Sequence, residues 1–167
     1  MAAGRPAQQA VDAALAKAPG AAYRQVTAVD GDGSTGAFSG AYALGTNAVE
    51  RGTGAVAAGN LLASPDVPAA MVAAFAADTG VHLGARLVAA LRAGLEAGGE
   101  EGPVRSAGVV VCDRVEWPVV DLRVDWDDDP IGRLAEAWAV WEPQIADYVT
   151  RALDPGSSPS FGVPGDR

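Results

Sequence analysis

The chain has 167 residues, enough for one domain with a real core, and 49% of them are apolar. A net charge of −9 excludes the basic face that nucleic acid needs and disfavours an anionic membrane surface. No apolar run reaches the ~20 residues of a membrane span, and the start "MAAGRPAQQAVDAALAKA" holds no signal-peptide core. A single cysteine, Cys112, excludes an internal disulfide, so the expectation is a cytoplasmic protein that uses no cofactor or metal.

In chain order, "RPAQQAVDAALAK" places Val11 and Leu15 four apart between Pro6 and Pro19-Gly20, which predicts a helix over about 6–18. "YRQVTAV", the turn "DGDG" and "TGAFSG" predict a β-hairpin. A glycine-rich passage follows, then "GAVAAG" (54–59) as a strand ending at Asn60. "SPDVPAAMVAAFAADTG" reads as a helix with Ser64 as cap and Pro65 at its first position, closed by Gly80. Leu83, Leu87, Leu91 and Leu95 give the next helix an apolar stripe that should pack on its predecessor.

"SAGVVVCD" (106–113) reads as a strand buried on both faces, with Cys112 as a small buried hydrophobe, and "PVVDLRVD" (118–125) as its neighbour. "PIGRLAEAWAVWEPQIADYVTRAL" is a helix kinked or broken at Pro143. The order predicts an α+β fold, helices covering antiparallel strands, as one domain over 1–153. The Pro/Gly/Ser-rich stretch 154–167 reads as a disordered tail.

The run "VDLRVDWDDDP" (120–130) spaces Asp125, Asp127, Asp129 and Glu136 like a calcium loop, but Pro130 occupies the position that needs glycine. The stronger reading makes Asp129 a helix cap ahead of Pro130, with Asp127 and Asp128 favoured by the helix dipole. Asp121, Arg123 and Asp125 then share one strand face, either as a solvated edge or as a network lining a pocket. Asn60, after a strand-ending glycine, is a candidate oxyanion donor or else a turn residue. His82 reads as exposed or capping, and Trp117, Trp126, Trp138 and Trp141 as core or subunit contact.

"YRQVTAVDGDGSTGAFSG", "GNLLASPDVPAAMVAAF", "LVAALRAGLEAGGE" and "WPVVDLRVDWDDDP", in that order over about residues 8–140, resemble the bacterial family called domain of unknown function 1028. The resemblance implies a layered sandwich of antiparallel sheets and helices, similar to N-terminal-nucleophile hydrolases, here without the family's first strands. Arg105 stands where the family usually has Gln, Asp127 where it has His, and Ala58 where it has Gln. It implies, at family level, hydrolysis of a C–N bond in a small molecule. Asn60, Ser106, Asp121 and Asp125 would be the catalytic set, and Arg24, Arg105 and Arg123 would bind substrate.

The encoded start, Met1-Ala2, offers no terminal nucleophile, and cleavage between Gly52 and Thr53 is the most plausible internal source of one. The alternative is a non-catalytic binding or assembly subunit on the same scaffold, and a start assigned too late is a third possibility. Loss of the first strands would leave an open sheet edge, from which a homodimer is expected.

Overall fold

A computed structural model describes residues 4–163. Met1-Ala2 and the end of the expected tail, 164–167, lie outside the described residues. The chain divides into two compact units, Met1–Val104 and Arg105–Arg167.

In the first unit, α1 (Ala7–Leu15) precedes a hairpin of β1 (Gln25–Val29) and β2 (Thr35–Ser39), in register from Gln25↔Ser39 to Val29↔Thr35. A second hairpin joins β3 (Ala48–Gly52) to β4 (Ala55–Gly59) through the two-residue turn Thr53-Gly54. Two helices follow, α2 (Val67–Ala77) and α3 (Leu83–Glu96).

The two hairpins stack as layers. Gly36 of β2 lies so close to α1 that an added Cβ would stand 2.6 Å from the Ala7 carbonyl carbon. Ala28, opposite Gly36, shares that face. The other face carries Gln25, whose side chain reaches Ala48 and Gly59 of the second hairpin. β3 and β4 in turn pack on α2, where Gly52 leaves room for Val72. The unit is therefore built in the order α1, β1–β2, β3–β4, α2 with α3.

The second unit is a hairpin of β5 (Ala107–Cys112) and β6 (Pro118–Val124) covered by α4 (Pro130–Trp141), with α5 (Ile145–Leu153) after it. Val109 and Val111 of β5, Val120 of β6, and Ile131, Leu134 and Trp138 of α4 form its core. The helix breaks at the expected place, passing through a 3-10 turn at Glu142–Gln144 that contains Pro143. Residues Pro155–Ser157 form a further 3-10 turn, and the Arg151 guanidinium lies 4.3 Å from the centre of the Phe161 ring.

The α+β class is as expected, and four local readings are corrected. The glycine-rich passage contains a strand, β3, whose Glu50 and Arg51 disguised it. α2 begins at Val67 rather than Pro65, because Ser64 closes a turn on the Asp66 N–H (3.1 Å) and Asp66 takes the cap position. β5 is not buried on both faces: Val109 and Val111 are buried, while Gly108, Val110 and Cys112 are exposed. Cys112 is therefore a surface residue, since only one face of this hairpin is covered by α4.

Candidate functional site

One end of the first unit gathers two of the candidate residues. Arg24 precedes β1 and Asn60 follows β4, and between them the Gln25 amide donates to Ser39 Oγ (2.9 Å), Gly59 O (3.1 Å) and Ala48 O (3.3 Å). One side chain of the first hairpin thus reaches two backbone carbonyls of the second as well as a hydroxyl of its own hairpin. Arg24 and Asn60 are both exposed, and the Arg24 guanidinium makes no ion pair among the described residues. Next to them Leu61 adopts φ +53, a left-handed conformation that is costly for a branched side chain. It is held by its N–H to Leu44 O (2.9 Å) and by its carbonyl, which accepts from Glu101 N–H (2.8 Å). Tyr23 and Tyr42 pack ring on ring at 5.0 Å nearby, both largely exposed, and Leu44 is exposed as well.

The remaining candidates belong to the second unit, where all but Asp121, in the middle of β6, share one end of its hairpin. Ser106 and Asp125 stand one step beyond the last register pair, Ala107↔Val124. Arg123 Nε meets Asp125 Oδ1 at 3.1 Å, and both side chains are about three-quarters exposed. Arg105 pairs with Asp128, sits over the Trp126 ring, and its carbonyl accepts the Asp127 N–H (2.9 Å). Arg133 lies 3.8 Å from Asp127 and 2.9 Å from Glu136, and these carboxylates, Glu136 first, raise its pKa above the usual value.

The aspartate run is thereby accounted for residue by residue. Asp125 belongs to Arg123, Asp128 to Arg105, and Asp127 accepts the Asp129 N–H (2.8 Å). Asp129 caps α4, its Oδ1 accepting from Gly132 N–H at 3.0 Å, as the sequence predicts. Among the described residues no group of three acidic, His or Cys side chains converges as a metal site would. Ser106 is exposed, and no base hydrogen-bonds its hydroxyl among the described residues. Asp121 is exposed on the outer face beside Val110, its register partner.

Thr53 sits in the turn between β3 and β4, where Gly54 takes φ +66. His82 caps α3, its Nδ1 accepting from Gly84 N–H at 3.0 Å. Of the tryptophans, Trp138 is core, Trp141 donates its indole N–H to Val119 O (3.0 Å), and Trp117 and Trp126 are exposed. That carbonyl is free because a bulge leaves Val119 unpaired in the ladder.

Periodicity missed an apolar concave feature of the first unit. A half-open groove of about 430 Å³ runs beside β4, roofed by Thr27 and Val29 of β1 and floored by Met71, Phe75, Leu83 and Leu87 of α2 and α3. Its volume is that of a ligand or peptide site, yet no residue lining it is acidic, basic or histidine. The only sequence signal was the leucine stripe of α3, more of it than one neighbouring helix needs.

These features define an α+β protein, with two stacked antiparallel hairpins between helical layers in the first unit and one hairpin packed on a helix in the second. The family of unknown function DUF1028 matches residues 1–134, and the chain belongs to that family. Protein SPO2555 from Silicibacter pomeroyi, matched by the same family model, has a similar crystal structure at 31% identity and a TM-score of 0.75. The similarity covers 87% of this chain and 63% of that one, so the chain spans less than two thirds of its relative's length. No curated protein matches it. Among the described residues no helix is long and apolar enough to cross a membrane.

Proposed function

We propose that this chain is a binding or assembly subunit built on a hydrolase-like scaffold rather than a catalyst in its own right. The observation that carries this reading is a division of chemistry: the groove has volume but no acid, base or charged group, whereas the candidate acids Asp121 and Asp125 lie exposed in the second unit, Asp125 paired with Arg123. General acid–base work needs a titratable group beside the reacting atoms, and apolar recognition does not. The exposed Tyr23, Tyr42 and Leu44 add a surface of the kind that interfaces use.

A second reading, hydrolysis of a C–N bond, is favoured by the gathering of Arg105, Ser106, Asp121, Arg123 and Asp125 on one hairpin. In that reading Arg123 holds a substrate carboxylate and Asp121 or Asp125 positions water, while Arg24 and Asn60 serve the end of the first unit. The test is amine release from a panel of N-acyl amino acids and primary amides. The binding reading expects the parent protein to match its Ser106→Ala and Asp125→Asn variants. Turnover that either substitution abolishes would contradict it.

A further inference from the structure

We infer that the groove beside β4 is a seat for one extended, apolar β-strand, added edge-on to β4 and supplied by a partner segment. The inference rests on the binding reading above and names the partner that reading requires.

The two strand layers of the first unit, β1–β2 and β3–β4, are each two strands wide. β4 pairs with β3 along one edge only, and no strand pairs with its other edge among the described residues. Past that edge the neighbouring layers continue: Thr27 and Val29 of β1 stand on one side and Leu83 and Leu87 of α3 on the other. α3 packs on α2 and hardly on the strands, so its inner face looks into the groove. The outer edge of β4 offers alternate N–H and C=O groups, the half of a ladder that strand addition uses.

The unit treats the exposed edge of β2 quite differently. On β2 the Ala37 N–H donates to Gln8 Oε1 (3.0 Å), and Arg51 donates to Thr35 O and Ala37 O (both 3.4 Å). Side chains blunt that edge against pairing, as unpartnered edges usually are. β4, "AVAAG", has no such guard among the described residues.

The shape of the slot limits its occupant. A strand lying there would be covered on both faces, by β1 and by α3, so it should be apolar at nearly every position. A second copy using its own β4 would bring its own α2 beneath that strand, into the space α3 already fills. The occupant is therefore a strand without a helical layer of its own. The related crystal structure supplies a source, since more than a third of that chain has no counterpart here.

The test uses short overlapping peptides covering the part of the Silicibacter pomeroyi protein that this chain does not match, titrated against the full chain. At least one apolar peptide should bind and slow the hydrogen exchange of alternate β4 amides. N-methylation of that peptide at alternate residues should weaken binding at least about tenfold, as should Thr27→Arg, a change at an exposed roof position that leaves the core intact. Leu87→Glu should do the same from the floor. No binding by any peptide would overturn the inference, as would binding indifferent to N-methylation, which would mark a plain apolar-ligand site. A mass that doubles with concentration while the same amides become protected would assign the groove to a second copy and also overturn it. Amide hydrolysis silenced by Ser106→Ala would refute the binding reading and leave the peptide result standing.

Discussion

Gln25 links the two hairpins of the first unit, and Gln25→Ala removes that link with little loss of apolar packing. Its amide has two hydrogens and three acceptors between 2.9 and 3.3 Å, so it makes about two full hydrogen bonds. Each is worth about 0.5–1.5 kcal/mol net, and the Ala48 and Gly59 carbonyls lose a donor in a half-buried place. A loss of about 2 kcal/mol follows, or about 4–8 °C in Tm for a chain of this length. Gln25→Glu should be worse near neutral pH, because a carboxylate would face two carbonyl oxygens. Its folded pKa would be raised, so the deficit should shrink as pH falls and return as pH rises through that value. Urea unfolding from pH 4 to 8 reads both effects. A Gln25→Ala protein within about 0.5 kcal/mol of the parent, or a Glu variant indifferent to pH, would refute the reasoning.

Asp129→Ala should cost about 1 kcal/mol and Asp129→Asn almost nothing, by denaturant unfolding, because the side chain caps α4. Asp30 accepts the Ala7 N–H at 2.9 Å, a contact that heads the causes lowering its pKa below 3.8. Its contribution should be complete above that unfolded value and lost as pH falls through the lower folded one, and acid unfolding of Asp30→Asn should lack that component. Gly40→Ala should destabilise by about 1–3 kcal/mol in thermal unfolding, since its Cβ would stand 2.2 Å from the Ala22 carbonyl oxygen. The purified chain should keep its full mass, uncut at Thr53, because that residue closes an intact hairpin turn.

Where one residue's local chemistry decides, the sequence was legible. Asp129-Pro130 announced a cap, Pro143 a break, and "DGDG" a hairpin turn, all from backbone preferences that need no neighbours. β3 was not legible, because Glu50 and Arg51 interrupt its apolar pattern, and Arg51 is held by reaching Gln8 of α1 and the edge of β2. β5 misled for the opposite reason: three valines in a row look buried on both faces, yet Val110 points outward. The candidate residues of β5 and β6 were legible as neighbours because one hairpin holds them. Gln25 and the groove were not, since both depend on how separate hairpins stack.

The central claim is that the chain binds through an open strand edge, and hydrogen exchange of the β4 amides, Ala55 to Gly59, in the free protein tests it most directly. The account expects two classes, amides paired to β3 exchanging slowly and alternate amides facing the groove exchanging almost as fast as an unfolded chain. Equal, strong protection of all of them in a dilute monomer would mean the edge is already covered, and would contradict it.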